Sequence, residues 1–318
     1  MSLPIEKTIT DLGNRDKPLL SSRLIELSNL NSEETEFLEQ SWATIEPKRR
    51  RQIIYRLVEL AEDNVELNFD SIFRSCLKDQ DAEVRSKAIE GLWESEEASL
   101  IKPLINLLEK DSSEKVQAAA ATGLGKFAVL TELKKLRPSY TSKLCQALIA
   151  VIDDNSKPIE VRRRALEAAA PLSLPQVKKT IMKAYQSHNP KLRTSAIYAM
   201  GKNCDCSWLS ILLKELGSAN AEIRYEAAGA CGELGEEEAA PHLIELINDP
   251  DTDVQLAAIQ ALGKIGGTEV KGCLEQCLSN PNELIQEAAE AALLELEAGE
   301  DPFSFRISRG LYEHRQQD

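Results

Sequence analysis

The 318-residue sequence predicts an all-α fold, an α-α superhelix (α-solenoid) of stacked helix pairs. Three observations predict it. A short phrase recurs at a near-constant interval, each copy carries apolar residues at helical spacing, and small residues stand where a neighbouring helix must approach. The phrase reads Asp81-Ala-Glu-Val84-Arg85-Ser-Lys-Ala88-Ile89-Glu-Gly91-Leu92. Aligned on its first apolar residue, the copies start at 84, 116, 161, 192, 223, 254 and 285, at intervals of 32, 45, 31, 31, 31 and 31. Four equal intervals in succession mark a built repeat. Each copy is a helix pair that cannot bury its apolar face alone, so the pairs stack.

Residues 1–30 carry a weak amphipathic pattern (Ile5, Ile9, Leu12, then Leu24, Leu27 and Leu30) and read as an N-terminal cap. Residues 32–63 read as a divergent helix pair. Asn31 or Ser32 caps a helix bearing Phe37, Leu38, Trp42 and Ile45; Pro47 suits the first turn of the next, whose inner side holds Ile53, Ile54, Leu57, Val58 and Ala61. The Pro47-Lys48-Arg49-Arg50-Arg51 run reads as a solvated helix start. In the clear copies a short apolar helix, such as Pro241 to Ile247, leads into a turn such as Asn248-Asp249-Pro250-Asp251. The second helix then places positions 0, +4 and +8 from the anchor on one apolar stripe. Position +7 is Gly91, Gly123, Ala168, Ala199, Ala230, Ala261 and Ala292, small enough for close helix approach. The 45-residue interval contains an insertion at roughly Phe127 to Lys143, either a longer loop or extra helix. The expected organisation is a cap with one divergent pair at 1–67, about seven repeats at 68–298, and a tail at 299–318. The basic and aromatic stretch from Phe303 to Arg315 either folds back onto the acidic repeats, ends disordered or binds a partner.

The pattern Asp-x-x-Val-Arg-x-x-Ala-(Ile/Ala)-x-Ala-Leu-Gly resembles the HEAT repeat, and most of all the short bacterial subtype named after phycobilisome (bilin) lyases. The likeness covers roughly residues 68–298. The run Glu90-Gly91-Leu92-Trp93-Glu94 resembles the opening of uncharacterised bacterial HEAT-repeat proteins. The resemblance implies a fold more than an activity, because the subtype occurs in many proteins with no lyase activity. In the HEAT family the second helix of each pair lines a concave face on which partners bind. HEAT-like hydroxylases that hold iron carry repeated His-Glu pairs, which this chain lacks. The lyase resemblance brings no matching catalytic residue and leaves chromophore handling as a minor alternative.

At about 100° per residue, position +1 of the second helix falls inside the apolar arc, yet it is Arg85, Arg162, Arg193 and Arg224 in four copies. A buried guanidinium must be paired, and Asp81, Asn189, Asn220 and Asp251 stand three residues before the anchor. The expectation is a ladder of Arg to Asp/Asn hydrogen bonds between repeats. The outward arc is +2, +6 and +10, and Tyr198, Tyr225 and Leu256 are its apolar members in consecutive repeats. With Gln260 and the flanking cations Lys126, Arg163 and Lys202 they form the expected protein-binding groove, suited to a peptide or protein partner with an acidic segment.

Charge is segregated along the chain. The net charge is −14, but residues 215–300 hold 19 acids and 3 bases, whereas residues 110–214 hold 8 acids and 18 bases. The basic middle makes nucleic acid the main alternative partner. Low aromatic content, the lack of a recognised nucleic-acid module and the repelling C-terminal third weigh against it. Seven scattered cysteines do not read as a disulfide framework. Cys204-Asp205-Cys206 lacks a second ligand pair at zinc spacing, so no metal is expected. The three histidines, His188, His242 and His314, stand beside no nucleophile motif, and no Walker loop, Gly-x-Ser-x-Gly or His-Glu-x-x-His occurs. No catalytic residue and no cofactor are expected. No membrane-length apolar run is present, and Met1 to Lys7 shows no secretory pattern, which gives a soluble, cytoplasmic, monomeric protein as the expectation. The reading is a non-enzymatic scaffold or adaptor that binds another protein on its concave face.

Overall fold

The computed structural model describes residues 4–300; the first two residues of the expected 299–318 tail continue a helix, and the rest, with the Phe303 to Arg315 stretch, lies outside the described residues. All regular structure among them is helical, with 18 α-helices and no strand. Two compact units divide the chain at Leu172–Ser173. The first contains α1 (Pro4–Gly13), α2 (Ser21–Ile25), α3 (Ser32–Trp42), α4 (Pro47–Asp63), α5 (Asp70–Cys76), α6 (Ala82–Gly91), α7 (Ile101–Lys110), α8 (Glu114–Glu132), α9 (Pro138–Asp153) and α10 (Ile159–Ala169). The second contains α11 (Pro175–Tyr185), α12 (Pro190–Asn203), α13 (Leu209–Leu216), α14 (Ala221–Leu234), α15 (Ala240–Leu246), α16 (Thr252–Ile265), α17 (Thr268–Cys277) and α18 (Glu283–Glu300). Each unit is a stack of helix pairs of the solenoid kind. No helix among the described residues is long and apolar enough to cross a membrane.

The anchor stripe is the core. Every residue at positions 0 and +4 of the seven copies is buried. Position +5 is buried from Ile89 to Ile259, and only in the last helix, α18, is it the exposed Glu290. Consecutive second helices lie against each other more closely than side chains normally allow. A Cβ placed on Gly201 would stand 2.6 Å from Ala230 Cα, on Gly232 2.7 Å from Ala261 Cα, and on Gly263 2.8 Å from Ala292 Cα. Thus the small residue at +7 serves close approach as expected, and its counterpart is a glycine at +9 of the preceding helix. Gly125 over Ala168 in the first unit is a looser version at 3.4 Å.

The turns carry the ladder, with partners other than those the sequence suggested. Asp81, Asn189, Asn220 and Asp251 are helix N-caps, accepting from backbone N–H groups two or three residues on. The arginine of the preceding copy reaches instead to the aspartate two residues earlier. Arg85 holds Asp111 through two bonds of 2.8 Å, Arg224 holds Asp249 through two of 2.7 Å, and Arg50 stands 3.1 Å from Asp79. These aspartates also accept the N–H two residues on, so one carboxylate both turns the chain and anchors the previous helix. The capping oxygens accept from backbone donors, and of the four caps Asp81 also takes an arginine, Arg51 at 2.8 Å, through its second oxygen. Where the turn has no such aspartate, Arg193 pairs with the buried Glu215 of α13, and Arg162 donates to the Ile152 carbonyl.

The N-terminal residues follow the same logic. Ile5, Ile9, Leu12, Leu24 and Leu27 are buried, and α3 opens on a capping box between Asn31 and Glu34. In the Pro47–Arg51 run Pro47, Lys48 and Arg51 are exposed as expected, but Arg49 and Arg50 are not solvated. Arg49 is buried and donates to the carbonyls of Leu12 and Lys17 at 2.7 and 3.0 Å. Asp79 takes both Arg50 and the Trp42 indole N–H, the latter at 2.6 Å. Arginine's five donors let it satisfy several carbonyls inside the cap, which a charge count along the sequence does not reveal. The insertion is extra helix: α8 runs 19 residues where α12, α14 and α16 run 14, and α9 reaches 16.

Two glycines separate close packing from helix propensity. Gly232→Ala is expected to destabilise by about 1–3 kcal/mol, because backbone atoms of Ala261 cannot yield to the new methyl. Gly229→Ala, in the same helix with nothing within 4 Å, is expected to stabilise by about 0.5–1 kcal/mol. Urea unfolding midpoints check both. The Arg224 hydrogen bonds hold the Asp249 carboxyl below the ordinary aspartate value, against the opposing effect of burial. Its stabilisation is therefore complete above about pH 4 and is lost as the pH falls. Asp249→Asn is expected to cost about 1.5–3 kcal/mol near neutrality. The midpoints of variant and wild type should draw together as the pH drops below about 4.

Candidate protein-binding cleft

The seven residues of the expected groove divide between the units: Lys126 and Arg163 belong to the first, and the other five to the second. In the second unit the structure brings four of the five together. Tyr198 and Lys202 of α12, Tyr225 of α14 and Gln260 of α16 line one cleft of about 190 Å³. Their meeting follows from the close helix approach. Rows +2, +6 and +10 of adjacent helices become neighbours when glycine and alanine set the spacing. Tyr198 is 37% exposed and Tyr225 45% exposed, so both rings offer apolar surface at the rim. Leu256 does not join them; it is half-buried on α16 and lines no part of this cleft.

Charges brace the cleft. Glu233 of α14 accepts from Lys202 at 3.2 Å and from Lys264 of α16 at 2.7 Å, and the Lys202 ammonium lies 5.8 Å from the Tyr198 ring centroid. Burial alone would raise the Glu233 carboxyl; the hydrogen bonds from Lys264 and Lys202 outweigh it and hold it below the ordinary glutamate value. The bridge ties three successive helices and fixes the tyrosine that Lys202 covers. Glu233 and Lys264 were missing from the expected groove. Their signal was available, since Lys202, Glu233 and Lys264 all occupy +10 with alternating sign at a spacing of 31.

The two cations of the first unit are structural. Lys126 donates from Nζ to the carbonyls of Leu92 and Trp93, closing the end of α6. Burial pushes its ammonium down to about 8, opposed by Asp70 and Glu96. Arg163 is held within its own helix by Glu160 at 2.9 Å and Glu167 at 3.8 Å. Ser86 and Thr194, placed on the outward arc by the wheel, are buried, because the helix is turned to bring +6 outermost. Other basic residues of 110–214 are also internally engaged: Lys115 by Glu83, Arg164 by Glu160 and Glu167, and Lys178 by Asp205. Asp205, between the two exposed cysteines, caps Ser207 and takes Lys178 at 2.6 Å; these hydrogen bonds lower its carboxyl to about 2. Exposed tyrosines over an ion-paired floor, in a cleft below the ~300–1,000 Å³ of small-molecule pockets, suit a single inserted side chain.

The HEAT repeats family model matches residues 71–144 and 209–294, so this chain belongs to the HEAT-repeat family. Among curated proteins none matched. Among solved structures, the chain is similar to the complex of CpcE and CpcF of phycocyanin lyase from Nostoc sp. PCC7120. That match has 16% identity over 89% of this chain and 97% of the other, with a TM-score of 0.50. It is also similar to YibA of Escherichia coli (16% identity, 93% and 98% covered, TM-score 0.43) and to human deoxyhypusine hydroxylase (16% identity, 92% and 97% covered, TM-score 0.35). At 16% identity the likeness to the CpcE–CpcF complex is one of fold alone.

Removing one lysine tests the bridge. In Lys264→Met the Glu233 carboxyl is expected to titrate at higher pH than in wild type, since one of its two hydrogen bonds is gone while burial remains. Carbon-detected NMR titration of the glutamate carboxyls measures it.

Proposed function

We propose that this protein is a non-enzymatic scaffold that binds another protein or peptide on the second-helix face of its HEAT repeats. The supporting observation is the cleft in which Tyr198 and Tyr225, from consecutive repeats, stand exposed beside the Glu233 bridge. Two χ angles per tyrosine keep the ordering cost of contact small, which is why such rings serve as anchors at protein interfaces. The bridge pre-positions one of them. A small, braced cleft favours an inserted side chain over a chromophore.

A protein partner fits better than a phosphate backbone. Binding nucleic acid needs lysines and arginines free to displace counterions. Here Lys126, Arg163, Arg164, Lys178 and Lys202 each have a partner within their own unit, and the exposed Lys134, Arg137, Lys143, Lys179 and Lys191 line no part of the cleft. Two of the three helices that carry the cleft, α14 and α16, lie in the acidic run from 215 to 300.

Tyr198→Ala combined with Tyr225→Ala is expected to weaken partner capture at least about tenfold, the size of a typical interface anchor pair. Helicity and melting should be unchanged, because both rings are exposed at the rim. Quantitative capture from native lysate with wild-type and doubly substituted protein makes the comparison. Equal recovery of partners by both would remove the cleft from the interface.

A further inference from the structure

In the first unit the copy anchored at Val84 departs most from the glycine rule. Position +9, glycine in the closely packed copies, is Trp93 in the copy anchored at Val84. Helix α6 ends at Gly91, two residues earlier, with Gly91 pressed on the Phe73 ring so closely that a Cβ there would lie 2.6 Å from it. The chain leaves the helix with its last carbonyls fixed by Lys126, and the indole stands 71% exposed. The other two tryptophans are buried, each with its N–H bonded to a side chain. A fixed backbone under an exposed indole is a platform.

Beside it lies a pocket of about 360 Å³ between α4, α5 and the end of α6. Its walls are Val58, Phe69, Phe73, Trp93 and Val65, the last 81% exposed. Four carboxylates line it, Glu62, Asp70, Glu90 and Glu94, and no lysine or arginine does. Lys87 holds Glu90 at 2.7 Å; Glu62, Asp70 and Glu94 make no ion pair among the described residues. An aromatic face beside several carboxylates is complementary to a cation with an apolar stem. A guanidinium or ammonium over an indole within about 6 Å gains from the ring quadrupole while the carboxylates supply charge, and the stem covers valine and phenylalanine.

We infer that this pocket is a docking site for an arginine- or lysine-bearing segment of a protein partner, with Trp93 as the stacking platform and Glu62 and Glu94 as its charge partners. The site belongs to the first unit and does not rest on the reading of the Tyr198–Tyr225 cleft. A negatively charged polymer is excluded from it by the same carboxylates.

The test uses the full chain and a fluorescently labelled, acetylated peptide of alternating arginine and glycine, with the glutamate–glycine peptide and a DNA duplex as comparisons. Anisotropy gives affinity, and the Trp93 indole N–H resonance, assigned from its loss in Trp93→Phe, gives location. The arginine peptide is expected to shift that resonance saturably. Its affinity should fall about tenfold or more in Trp93→Ala and in Glu62→Gln combined with Glu94→Gln, all solvent-exposed substitutions with wild-type melting. Equal affinity for the variants and wild type would overturn the inference. So would an indole shift no larger with arginine than with glutamate, or a shift with the duplex alone.

Discussion

The separation between consecutive second helices governs the rest of the structure. Glycine at +9 lies over alanine at +7 of the next copy at Gly201–Ala230, Gly232–Ala261 and Gly263–Ala292, closer than any Cβ permits. At that spacing the apolar residues at 0, +4, +5 and +8 interlock into a continuous core, and the arginine at +1 is brought within reach of the following turn. The exposed rows are also set side by side. A cleft lined by tyrosines from two repeats and braced by an ion pair across three helices exists because the backbones are this close. Looser packing would leave each ring on its own helix.

Where the glycine rule lapses, the molecule does something else. Trp93 takes the +9 position after α6 has ended, and the surface it opens is an acidic aromatic pocket instead of a helix contact. In α18 the same position is Leu294 and +5 is Glu290, both exposed, so this helix presents a face that another copy could not approach closely. Within the first unit the stack continues past Trp93 all the same, with Gly123 of α8 meeting Ile89 of α6.

Charge plays two roles. Buried in the turns, aspartates at 79, 111 and 249 join copies by pairing with arginine while shaping their own turn. On the exposed rows, lysines at 126, 202 and 264 are held by carbonyls or glutamate and serve as internal bracing. The net charge of −14 therefore says little about the surface a partner meets. The local balance around each aromatic says more.

Much was legible in the sequence, because it depended on local spacing. The 31-residue period, the stripe at 0, +4 and +8, the small residue at +7 and the Asp/Asn caps all follow from helical geometry within a dozen residues. Tyr198, Tyr225, Lys202 and Gln260 were placed on one face by the same arithmetic. Only the tertiary structure decided which acid each arginine takes, that Arg49 and Arg50 are buried, that Lys126 closes α6, that Leu256 stays out of the cleft, and that Trp93 stands beside an acidic pocket. Each of these depends on a distance between residues far apart in the chain. Periodicity fixes which way a side chain leaves its own helix, but the approach of the next helix decides what it meets.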